Sequence, residues 1–63
     1  MMHRDFRVRL VNGNSWDVSI SDYNIDASGA LTLFQFGDYS IASLPTGQWN
    51  SIVRINEEGI EIV

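Results

Sequence analysis

The sequence predicts an all-β domain, on three observations. Turn signals built from glycine, proline, asparagine and aspartate recur at short, regular intervals. Between them, apolar residues alternate with polar ones or run continuously, as strands of a small sandwich or barrel do. No stretch carries the 3.6-residue apolar repeat of an amphipathic helix.

The first strand is expected at 6–11. Phe6, Val8 and Leu10 share one face, and Arg7 and Arg9 share the other. Asn12-Gly13 follows, a hairpin signal because a type I′ turn needs positive φ at both central positions. The second strand covers 15–21, with Trp16, Val18 and Ile20 toward the core, and Ile25 continues it beyond a bend at 22–24. Residues 26–29, Asp-Ala-Ser-Gly, suit a type I turn closed by a left-handed glycine. The third strand, 30–36, is apolar on both faces through Leu31, Leu33, Phe34 and Phe36. Gly37-Asp38 reads as a type II′ turn into a fourth strand at 39–44. Pro45 ends that strand, since proline cannot donate to a ladder. Gln48-Trp49 reads as a short 3₁₀ turn, 50–55 as the fifth strand, 56–59 as a turn and 60–63 as a short last strand.

Successive hairpins imply antiparallel pairing. Five or six short strands in about 60 residues suggest a strongly bent barrel, whose closure removes exposed edges. The alternative is an open meander sheet completed by dimerisation. Residues 1–5 are expected to be a flexible N-terminus, and 6–63 a single small β domain.

The run from Phe6 to Gly13, the polar-alternating second strand and the Gly29-Ala30-Leu31-Thr32-Leu33 segment resemble the opening of Sm-like proteins. The stretch from Leu44 to Ile55 is similar to the closing part of Src-homology-3-like and Sm-like barrels alike. The resemblance implies a small barrel. It does not carry over RNA binding, because the Sm signature before the last strand is absent at 47–50. A shared fold also leaves function open.

Composition narrows the functional classes. Sixty-three residues lie near the lower limit for independent folding, where a staple or a partner subunit helps. The absence of cysteine removes disulfides and thiolate metal sites. The net charge of −4, from eight acids against four arginines, disfavours nucleic acid, whose phosphates reward basic surfaces. No apolar run reaches the roughly 20 residues that span a bilayer. The N-terminus, Met-Met-His-Arg-Asp, lacks the apolar stretch of a signal peptide, so the expected location is cytoplasmic, with no membrane partner.

No residues assemble into a catalytic site. His3 is the sole histidine and sits near the N-terminus, so the serines have no base to activate them. The chain is read as non-enzymatic, with no cofactor. The segment Asp22-Tyr23-Asn24-Ile25-Asp26 opens like a calcium loop, but Ala27 stands where the sharp turn needs glycine and Leu33 where a bidentate glutamate belongs. Its acids are read as turn residues bonding their own backbone, and no metal is expected.

Two surfaces remain. Arg7, Arg9 and Arg54 are a candidate basic patch, on the expectation that the first and last strands are neighbours. The competing reading pairs these arginines with Glu61 and nearby acids. The aromatics Phe34, Phe36, Tyr39 and Trp49 are a candidate partner-binding surface, with Ile60 and Ile62 as a possible dimer edge. The expected function is therefore a protein–protein interaction module that binds another protein or a second copy of itself. The first alternative is a small acidic inhibitor, phage- or mobile-element-encoded, that occludes a host defence or nucleic-acid enzyme with phosphate-like carboxylates. The second is a small nucleic-acid or nucleotide binder using arginines and aromatic stacking.

Overall fold

A computed structural model describes residues 3–35 and 39–62. The chain is all-β and builds two antiparallel sheets. Its strands are β1 (Arg4–Leu10), β2 (Ser15–Ile20), β3 (Asp22–Ile25), β4 (Leu31–Gln35), β5 (Tyr39–Leu44), β6 (Trp49–Ile55) and β7 (Glu61–Ile62). One sheet has the order β2-β1-β6-β7 and the other β3-β4-β5. Among the described residues no ladder joins the two sheets into a closed barrel. No helix among them is long and apolar enough to cross a membrane.

The core follows from alternation along the central strands. Phe6 and Val8 of β1 pair with Val18 and Trp16 of β2. On the other side they pair with Arg54 and Ile52 of β6. Opposite them, Leu31 and Leu33 of β4 pair with Ile25 and Tyr23 of β3. Val8, Ile20, Leu31 and Leu33 are fully enclosed, with Phe6 nearly so. The Phe6 ring meets Tyr23 edge-on, centroids 5.4 Å apart, which ties one sheet to the other.

The long bent strand expected from Trp16 to Ile25 is divided at Ser21. Val18 and Ile20 pack on the core, and Tyr23 and Ile25, although exposed, share the face of their enclosed partners Leu33 and Leu31, so the two-residue alternation slips by one position between the pairs. The Ser21 amide donates to the Phe34 carbonyl at 3.0 Å, and its hydroxyl donates to the same oxygen at 3.1 Å. This kink passes the chain from one sheet to the other and divides the expected second strand into β2 and β3, giving seven strands among the described residues.

Four further expectations are corrected. Trp16 is 40% exposed: β2 is an outer strand, with β1 on one side only, and Trp16 lies near its start. Trp49 opens β6 rather than forming a 3₁₀ turn. The first hairpin closes one residue early: the Gly13 amide donates to Leu10, so Val11 and Asn12 are its central residues, not Asn12 and Gly13. Asn12 Oδ1 accepts the Asn14 amide at 2.9 Å and steadies that loop. The first strand also begins earlier than expected, at Arg4, which pairs with Ile20. The expected turn at Gly37-Asp38 lies outside the described residues.

Candidate functional site

The outer face of the four-stranded sheet is built by the residues of β1 that point away from the core. Register sets Arg7 across from Asp17 of β2. Its guanidinium donates to both carboxylate oxygens, at 2.8 and 3.1 Å. This two-pronged geometry suits arginine and carboxylate. The bonds from Arg7 hold the Asp17 carboxyl below the usual carboxylate range and raise the affinity of Arg7 for its proton. Arg9 donates to Glu61 of β7, and Arg7 Nη1 lies 3.8 Å from the same carboxylate. Two of the three arginines of the candidate patch, Arg7 and Arg9, are therefore paired with Asp17 and Glu61.

Arg54 does not join them. Register places it across from Phe6 and Ile62, on the opposite face of the sheet from Arg7 and Arg9. It lines an open groove of about 500 Å³, together with His3, Arg4, Glu57, Glu58 and Ile62. Both arginines and acids line that groove, so it presents no field of one sign.

The expected partner-binding residues separate into two groups. Trp49 and Phe34 are half-buried. Trp49 packs against the core, and its indole N–H donates to the Gly29 carbonyl at 3.0 Å. Phe34 pairs with Asp22 and Ser40 in the middle strand of the smaller sheet. Tyr39, Ile60 and Ile62 are exposed, Tyr39 at 64%. Phe36 lies outside the described residues. Ile41, which the sequence does not single out, is also exposed. It is the extra residue where the β4–β5 register shifts, since Leu33 pairs with Ala42 and Phe34 with Ser40. β5 is an outer strand, and Tyr39–Leu44 contains no charged residue. The other outer strands carry Asp17, Asp22 or Glu61.

The calcium-loop acids serve the backbone. Asp22 Oδ1 accepts the Tyr23 amide at 2.8 Å. Asp26 Oδ1 accepts the Ser28 hydroxyl at 2.6 Å and the amides of Ser28 and Ala30, which lowers its carboxyl affinity for a proton. Asn56 repeats this turn: its side-chain oxygen accepts the amides of Glu58 and Ile60. The shared pattern, Asp or Asn three residues before a left-handed glycine, marks both turns at 26–29 and 56–59. Among the described residues no cluster of three histidine, cysteine, aspartate or glutamate side chains could hold a metal.

Ile55 is a buried residue that sequence reasoning did not separate from the core. It pairs with Asp5 and Glu61, so it lies on the Arg7 face, yet only 6% of it is exposed. Asn56, Glu57 and Gly59 line a groove over it together with Asp5, Asp17 and Val18. The repeated turn pattern is the signal that could have found this cover. In comparison with known proteins, no family model, no curated protein and no solved structure matches this chain.

Proposed function

We propose that this protein is a non-enzymatic protein–protein interaction module that associates with a second copy of itself through free strand edges. The observation that carries the reading is the outer edge of β5, uncharged along Tyr39–Leu44 and bearing exposed Tyr39 and Ile41. An outer strand offers unpaired backbone N–H and C=O groups to another strand. Charged residues are the usual deterrent to such pairing, and β5 has none. Exposed Ile60 and Ile62 form a second apolar stretch, at the β7 edge of the larger sheet. For the architecture, we read the two sheets as a Src-homology-3-like or Sm-like half-barrel. The support is β1 between β2 and β6, and one kinked strand feeding both sheets.

The test is solution mass by sedimentation equilibrium, from about 10 μM to 1 mM, at low and high salt. Self-association moves the mass from 7.1 kDa toward twice that value. An uncharged contact between two chains of charge −4 strengthens as salt screens their repulsion. Tyr39→Lys and Ile41→Lys return the mass to the monomer while circular dichroism stays native. A mass of 7.1 kDa at every concentration and salt contradicts the reading.

A further inference from the structure

The segment formed by β7 and the turn before it closes one edge of the larger sheet beside β6, and its attachments are few. The β6–β7 ladder has two residue pairs, Arg54 with Ile62 and Ile55 with Glu61. Both β7 residues are exposed, so the strand adds no buried residue to the fold. What fastens it from the side is charge: Glu61 receives Arg9 and approaches Arg7, and Arg7 is in turn fixed by Asp17. Beneath the hairpin sits Ile55, which is buried but belongs to no part of the central core cluster.

We infer that the hairpin over residues 56–62 is a strap latched by charge. It opens independently of the rest of the fold when the Glu61–arginine contacts are lost. Opening uncovers Ile55 and the outer edge of β6. The physical ground is an imbalance. β1 is held on both sides by long ladders to β2 and β6, whereas β7 has two pairs and surface ion pairs. Elements with few buried apolar contacts and exposed backbone bonds open at low free energy, ahead of global unfolding. Surface ion pairs are screened by salt, so the latch weakens as ionic strength rises. The inference does not depend on the self-association reading, because its test reads the hairpin alone in dilute protein.

The experiment is amide hydrogen exchange by NMR on the whole chain at about 20 mM and 1 M salt, for wild type, Glu61→Gln and Gly59→Ala. The reporter is the Asn56 amide, which donates to the Ile60 carbonyl at 2.9 Å. The references are the amides of enclosed Val8 and Leu33. In wild type, high salt speeds exchange at Asn56 about two- to fivefold relative to the references, the factor that exposed ion pairs support. Glu61→Gln exchanges faster at low salt and loses the salt response. Gly59→Ala strains the turn at φ +80°, and its Cβ makes only an ordinary 3.5 Å contact with Arg7 Nη2, so it opens the strap with every latch charge still present and keeps the salt response. The proposal is overturned if Glu61→Gln exchanges like wild type at both salts. It is equally overturned if Asn56 and the core references always change together, since the hairpin would then leave only with global unfolding.

Discussion

Gly29 and Gly13 give a controlled comparison of what the contact between two turns contributes to stability. Both glycines hold left-handed backbone, at φ +89° and +92°. A Cβ at Gly13 meets nothing within 4 Å, whereas at Gly29 it meets Thr46 Oγ1 at 2.8 Å and Thr46 Cβ at 3.3 Å. Gly13→Ala therefore measures backbone strain alone. Left-handed strain of about 1–2 kcal/mol is partly offset by a stiffer unfolded chain, for a net loss of about 1 kcal/mol. Gly29→Ala adds overpacking against a β-branched side chain that cannot easily turn aside, a further cost of about 1–3 kcal/mol. Stability of a 63-residue domain is roughly 3–9 kcal/mol, so Gly29→Ala removes a large share of it. Each kcal/mol lowers Tm by about 4–8 °C in a domain of this size. Urea unfolding of both variants, at unchanged m-value, gives the difference directly. Thr46→Ala in the Gly29→Ala background removes the 2.8 Å contact and recovers part of the loss. Equal losses for Gly13→Ala and Gly29→Ala would refute the close approach of the two turns.

Other expected outcomes follow from the same contacts. Trp49→Phe leaves the half-buried Gly29 carbonyl without its indole donor and costs about 1–3 kcal/mol in urea unfolding, with the sheet signature in circular dichroism retained. Leu33→Ala empties a fully enclosed position and costs about 2–5 kcal/mol, enough to leave a large unfolded fraction at 37 °C. Asp17 and Asp26 both have folded-state carboxyls depressed below 3.8, Asp17 by the Arg7 bond and Asp26 foremost by the Ser28 hydroxyl. A depressed group stabilises the fold above its unfolded value and loses that contribution as pH falls through the folded one. Stability measured by urea midpoints therefore declines below about pH 4, and Asp26→Asn flattens that decline.

The strands were legible because alternation is a local signal: Phe6, Val8 and Leu10 against Arg7 and Arg9 define both the strand and its inward face. The features that escaped depend on neighbours far along the chain. Trp16 carries the same alternation as Ile20, and only its place near the start of an outer strand leaves it exposed. Arg54 was grouped with Arg7 and Arg9 by residue type. Its face is set by register, and Arg7 pairs with Val53, one position away. The slip at Ser21 has no marker in composition, since serine and aspartate serve equally in strand edges and turns. Trp49 as a fold anchor required knowing that the 26–29 turn approaches the 45–48 turn. The pairing of arginines with Glu61 was readable as an option from charge alone, and the register of β7 decides it.

Self-association through the β5 edge is read residue by residue in a dilution series of amide-resolved NMR spectra from about 1 mM to 10 μM at fixed salt. Concentration-dependent shifts are expected at Tyr39–Leu44, with the core amides of Val8 and Leu33 unmoved. Spectra that do not change with concentration, or that change only around Arg7, Arg9 and Arg54, would contradict it.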